Sequence, residues 1–250
     1  PIVPRRNSPS ASIFSGIKKK TMQIIEQSLI AKNPEKKSED GLVVSPNFIA
    51  VIDGSTSKST YRHSMFRSNG RQAMRLVSRY LHKAPKQMSC HEFLRGVTAY
   101  IRKHYSKSRL QQCAEHPEDR LTCSAIVYSR LQRQIWMIGD CQCLLDGQLL
   151  ENPKPAEAVY AAKRSEKARQ LLAAGATIDD LRTHDAARDF ILPDIIESTK
   201  GQNVEYSVID GFPIPEQLVP VYTLDFQPHQ LVFASDGYPF LRPTLAESEH

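Results

Sequence analysis

The sequence predicts an α+β protein in which antiparallel sheets pack against helices, and three observations carry that reading. Apolar runs arrive in pairs joined by turn residues, the pattern of hairpins rather than of strands alternating singly with crossover helices. Two segments keep the i, i+3, i+4, i+7 spacing of a helix with one buried stripe. The chain has 250 residues, 40% apolar and 24% charged, which excludes a disordered polymer and suits one large domain.

Residues 1–16 begin with PIVPRRNSPSAS, three prolines in a polar setting, and are expected to form a flexible arm before a domain over 17–250. Residues 21–32 suit a helix through Met22, Ile24, Ile25, Leu29 and Ile30 and alternate poorly as a strand; periodicity does not choose. Residues 42–44 and 48–52 flank Ser45-Pro46-Asn47, which is turn chemistry, so they form a hairpin running into Asp53-Gly54. Ala73, Leu76, Val77, Tyr80 and Leu81 mark one helix. Phe93, Leu94, Val97, Ile101 and Tyr105 mark a second, started by a Ser89/Glu92 capping box.

Residues 123–129, 134–138 and 143–150 read as a meander of strands with turns at 131–133 and at Asp146-Gly147. Trp136 is expected in the core. Cys141 and Cys143 alternate onto one strand face as small buried hydrophobes. Residues 156–174 form an exposed helix closed by Gly175, with Lys154, Lys163, Arg164, Lys167 and Arg169 on a solvated face. Residues 178–214 show no period and read as a surface insertion. Strands over 218–226 and 230–235 end the pattern at Asp236-Gly237.

The 33 basic and 27 acidic residues leave a formal charge of +6, spread along the chain with Lys18-Lys19-Lys20 as the only run. That distribution speaks against a nucleic-acid partner, which calls for a concentrated stripe. Five cysteines without Cys-x-x-Cys spacing, and no secretory pattern at the start, predict a reduced, cytoplasmic setting. No apolar run approaches the ~18 residues of a membrane span.

Acidic residues sit where apolar strands begin or stop: Glu39-Asp40 before Leu42, Asp53 after FIAVI, Asp140 after IWMIG and Asp236 after LVFAS. One Asp-Gly is ordinarily a turn. Several carboxylates converging on one sheet rim would instead make an oxygen site for a hard cation.

Taken in order, Glu39-Asp40, Val51-Ile52-Asp53-Gly54, Leu121-Thr122-Cys123-Ser124-Ala125-Ile126-Val127 leading to Ile138-Gly139-Asp140, and Phe233-Ala234-Ser235-Asp236-Gly237 resemble the motifs of the type-2C, metal-dependent serine/threonine protein phosphatases. The resemblance implies an antiparallel β-sandwich flanked by helices on both faces and a strand before Lys32. It implies hydrolysis of phosphate monoesters, with phosphoserine or phosphothreonine proteins as the default substrate, in a protein expected to be monomeric. Asp53 would bridge two Mg²⁺ or Mn²⁺ ions, with the Gly54 carbonyl as a further ligand. Glu39 would complete one ion's shell with Asp40 beside it, Asp236 would bind the other, and Asp140 a third near Asp236. Asp53 and Asp236 are then the catalytic pair, because two cations about 3.5–4 Å apart activate a water for in-line attack on phosphorus.

The departures are specific. The family's arginine ahead of the acidic pair is replaced by Lys36, Lys37 and Ser38, leaving Lys37 to meet phosphate without a bidentate fork. Ser55-Thr56-Ser57-Lys58 follows the Asp-Gly, making Ser55 a second phosphate candidate, and His63 is the nearest histidine, with a surface position its ordinary fate. Arg164, Arg169, Arg182 and Arg188 fall where the family has a variable flap near substrate. No Gly-x-x-Asp-Asn follows Asp236, and Glu247 and Glu249 stand in a different context. One ligand is therefore expected to be missing, as in a domain truncated at its C-terminus, and metal binding to be weak.

Two other readings compete. The Ser-Thr-Ser loop and the missing ligand suit a non-catalytic module on the same scaffold. Ile52-Asp53-Gly54-Ser55-Thr56-Ser57 also resembles the phosphate loop of sugar-kinase and actin-like phosphotransferases. A haloacid-dehalogenase phosphatase would need Asp-x-Asp-x-Thr after a strand, and none is present.

Overall fold

The computed structural model describes residues 22–31, 37–226, 228–238 and 240–249. The predicted arm lies outside them. The expected hairpin forms as β1 (Gly41–Val44) and β2 (Phe48–Gly54), closed by the Ser45 hydroxyl, which accepts from the Phe48 amide at 2.9 Å. Helices α1 (Asn69–Lys83) and α2 (Cys90–Arg102) follow, α2 with its Ser89/Glu92 capping box in place. A helix not foreseen, α3 (Lys107–Glu115), has one buried residue, Cys113, too little of an apolar stripe to be read from sequence.

Next come β3 (Cys123–Ser129), β4 (Gln134–Ile138), β5 (Gln142–Leu145) and β6 (Gln148–Leu150). Helices α4 (Glu157–Ala173), α5 (Ile178–Thr183) and α6 (Ala186–Ser198) precede β7 (Val221–Thr223), β8 (Leu231–Ala234) and the short α7 (Leu245–Ser248). Residues 22–30 are neither helix nor strand, so neither reading of that segment holds. Met22 packs on the core, and the Glu26 carboxylate accepts from the Leu245 amide at 2.9 Å.

Two antiparallel sheets result, one in the order β1-β2-β3-β4-β7 and one in the order β6-β5-β8. The predicted meander is therefore divided between them at Gly139, whose φ of +83° turns the chain from β4 toward β5. Strand alternation splits the side chains into two layers. Phe48, Ala50, Ile52, Ala125, Val127, Trp136 and Ile138 face α1 and α2. Val51, Ile126, Tyr128, Ile135 and Met137 face the second sheet through Cys141, Cys143, Leu231 and Phe233. β3 is buried at every position, as a central strand between both layers must be. Trp136 is fully buried, 5.9 Å from the Phe48 ring and 5.6 Å from Phe93.

The 178–214 region is not a surface insertion. Ala187, Ile191, Val208, Ile209 and Asp210 are buried. Ile209 bridges Cys123 at the start of β3 with amide bonds of 3.0 and 2.9 Å. The Asp210 carboxylate meets Arg120 Nη1 at 2.9 Å and accepts from Asn203 Nδ2 and the Phe212 amide. These contacts couple residues about ninety positions apart in sequence, which local periodicity does not register.

Candidate active site

The ends of β2, β4 and β8 and the start of β3 meet at one end of the sandwich. Asp53 pairs in register with Ser124, placing the β2 carboxylate beside the start of β3. Ser124 Oγ donates to Asp140 Oδ1 at 2.6 Å, orienting the aspartate that follows β4. β8 pairs with β5, and its next turn delivers Asp236. Asp53, Asp140 and Asp236 line one cavity of about 680 Å³ together with Ser55, Lys58, Lys154 and Arg188. Its other wall comes from α4, α6 and residues 200–208, so the region read as an insertion closes the site.

A hydrogen bond to the Asp53 carboxylate favours the protonated form of Asp236. Desolvation, that bond and the charges of Asp53 and Asp140 push Asp236 up to about 7. Asp140 is buried, which alone would raise it, yet the Lys154 ammonium and the Ser124 hydroxyl outweigh burial and hold it below its ordinary value. Lys154, in the Asn152-Pro153-Lys154-Pro155 loop after β6, forms an ion pair with Asp140 and is held above its ordinary value against burial. Carboxylate oxygens of Asp140, Glu157 and Asp236 lie within 4.8 Å of one another, with Glu157 and Asp236 exposed. Lys58 Nζ donates to Ser55 Oγ at 2.8 Å, and burial together with the Lys154 charge lowers it to about 8.

The remaining sequence candidates separate. Glu39 reaches the rim by accepting from Thr56 Oγ1 at 3.0 Å. Gly54 lies against Glu39 and α1 so closely that an added Cβ would come within 2.5 Å of the Glu39 carbonyl. Lys37 and Asp40 are not brought to this cavity; both line a separate groove beside α1. His63 is neither a surface residue nor a member of the cavity: its ring is half-buried between Tyr61 and Tyr105, and Nε2 lies 2.8 Å from the Asp119 carbonyl. Arg164 lines the cavity while paired with Asp185. Arg169 and Arg182 pair on exposed surface with Glu166 and Asp179. Lys154 is not on a solvated helix face, and Lys58 and Glu157 were not foreseen; a lysine fixed between two prolines was the one sequence signal.

The donor set suits a hard divalent cation at Asp53 and Asp236. The carboxylate donors are all oxygen, and no cysteine or histidine lines the cavity among the described residues. A third ion at Asp140 fits less well, since Lys154 already neutralises that carboxylate.

No family model and no curated protein matches the chain. Solved structures do. A bacterial serine phosphatase matches at 16% identity and a TM-score of 0.40, covering 81% of this chain and 74% of that one. Serine/threonine phosphatase Stp1 from Staphylococcus aureus matches at 14% and 0.40, covering 87% and 81%. The catalytic domain of the phosphatase PstP in complex with two manganese ions matches at 13% and 0.37, covering 85% and 75%. The chain resembles the PPM serine/threonine phosphatases. At that level of likeness its chemistry has to come from the site itself. Among the described residues no helix is long and apolar enough to cross a membrane.

Proposed function

We propose that the protein hydrolyses phosphate monoesters with Mg²⁺ or Mn²⁺ held by Asp53 and Asp236, and that its substrates are phosphoserine or phosphothreonine residues of proteins. The observation that carries this reading is that Asp53, Asp140 and Asp236, delivered by three separate strand ends, line one cavity together with Lys58 and Arg188. When bound, two divalent ions lower the pKa of a shared water and neutralise phosphate charge, so no covalent nucleophile is required. The Gly54 carbonyl and Glu39 stand next to Asp53 as further oxygen donors. Ser124 fixes the Asp140 carboxylate, and Lys154 holds it charged.

Lys58 and Arg188 take the phosphate-binding role that sequence reading offered to Lys37. Both line the cavity, and the Arg188 guanidinium forms no ion pair among the described residues, which leaves its planar fork for phosphate oxygens. Ser55, bonded to Lys58, sits within the same wall. Lys154 at Asp140 joins the Ser-Thr-Ser loop and the ligand missing after Asp236 as a feature that favours the non-catalytic module. The two readings part on turnover: p-nitrophenyl phosphate should be hydrolysed with added Mn²⁺ and not with excess chelator. Absence of turnover by folded, Mn²⁺-saturated protein would contradict the proposal.

A further inference from the structure

The even spread of basic residues along the sequence is not their distribution in space. Arg71, Arg75, Arg79 and Lys83 recur at every fourth position of α1, with Arg67 just ahead of its Ser68 N-cap, and α1 contains no acidic residue. Four-residue spacing stacks these side chains on one face. The crowding is felt: the Arg67 charge, with partial desolvation and the charges of Arg79 and Arg71, lowers Arg75 from its ordinary value. Among the described residues no carboxylate forms an ion pair with any of these arginines.

Such a stripe works against the helix. Like charges four residues apart repel, and Arg71 in the first turn opposes the positive end of the helix dipole. The buried face of α1 gives no reason for it, since the packing is made by Ala73, Met74, Leu76, Val77 and Leu81. Beside the stripe runs a groove of about 570 Å³ lined by Arg71, Arg75, Arg79 and Lys37, with Asp40 its one carboxylate among the described lining residues.

The stripe begins at the candidate active site. Gly70 packs against Gly54, the residue after Asp53, and the Arg71 guanidinium donates to the Ser38 carbonyl beside Glu39. From Arg71 to Lys83 the helix rises about 18 Å at about 1.5 Å per residue, the length of about five residues of extended peptide. The groove's described lining has no aromatic ring on which bases could stack, which disfavours single-stranded nucleic acid as the occupant.

We infer that the α1 groove is a docking surface for an acidic peptide segment, so that the substrates are proteins phosphorylated next to a run of Asp, Glu or further phosphorylated residues. The substrate part of this inference rests on the phosphatase reading; the docking part does not. The test uses fluorescence anisotropy on the full chain in chelator, where nothing turns over. The probes are two labelled twelve-residue peptides with one phosphoserine, flanked in one by glutamates and in the other by glutamines.

The glutamate peptide should bind at least tenfold more tightly, and R75E/R79E should abolish that preference while leaving kcat for p-nitrophenyl phosphate unchanged. R75Q/R79Q, which avoids charge reversal, should reduce the preference in the same direction. Equal binding of the two peptides, or a preference that survives both variants in folded protein, would overturn the inference. Tighter binding of a single-stranded oligonucleotide of equal charge would overturn it in favour of nucleic acid. If the preference and its loss are both seen but no phosphoester is ever hydrolysed, the docking surface stands and the phosphatase reading falls.

Discussion

Replacing Asp210 by alanine breaks the ion pair that anchors the cavity wall. The Asp210 side chain is 0% exposed and that of Arg120 10%, with 2.9 Å between them. Removal strands the guanidinium, which among the described residues keeps only the Cys113 carbonyl at 2.8 Å and the face of Phe212 at 3.9 Å. It also strands the Asn203 amide and the Phe212 N–H. Breaking a buried pair from one side costs about 3–5 kcal/mol, because the remaining charge is left uncompensated. That is a large part of the roughly 5–15 kcal/mol that holds a domain folded.

Asp210→Asn keeps the shape and one carbonyl acceptor, so about 1–3 kcal/mol is expected for it. Acid adds a signed test. Burial raises Asp210 to about 6 against the pull of Arg120, so the fold holds this proton more tightly than the unfolded chain does. Its contribution to stability is then full below the ordinary value of 3.8 and lost as pH rises through about 6. Wild type should gain on Asp210→Asn as pH falls from 7 to 4. Urea unfolding of the three proteins at several pH values measures all of this. A loss below about 1 kcal/mol for Asp210→Ala, a value typical of a solvent-screened pair, or a pH trend of opposite sign would refute the reasoning.

Two further outcomes follow from the site. Lys154→Met should free Asp140 and add one Mn²⁺ equivalent in calorimetric titration, whereas Lys154→Arg should behave as wild type; identical titrations for Lys154→Met and wild type would place Asp140 outside any cation site. Lys58→Met should raise KM for p-nitrophenyl phosphate roughly tenfold, a loss of about 1.4 kcal/mol of anion binding, with Mn²⁺ affinity not reduced; an unchanged KM would remove Lys58 from the phosphate site.

What was legible in the sequence was local. Ser45-Pro46-Asn47 closes its own hairpin, Ser89 and Glu92 cap their own helix, and Asp146-Gly147 makes its own turn, so each is decided by neighbours in sequence. The acidic strand ends were legible for the same reason: three of them stop apolar runs, and the sheet order then gathers Asp53, Asp140 and Asp236. Lys37 and Asp40 line the groove beside α1, a placement that their position next to Glu39 in sequence does not reveal. Lys154 and Glu157 enter the cavity from the loop after β6 and the first turn of α4, and only the tertiary fold brings those beside β4 and β8. The basic stripe escaped a reading that looked for runs, since its period of four becomes a surface only once α1 is wound.

The central claim is that the Asp53–Asp236 pair is a divalent-cation site. Isothermal titration of Mn²⁺ into wild type and Asp53→Asn, both confirmed folded, tests it most directly. Wild type should bind Mn²⁺ with release of protons near pH 6, where Asp236, raised to about 7, still holds one, and Asp53→Asn should lose that binding. Equal Mn²⁺ affinity in the two proteins, or no binding by wild type, would contradict the account.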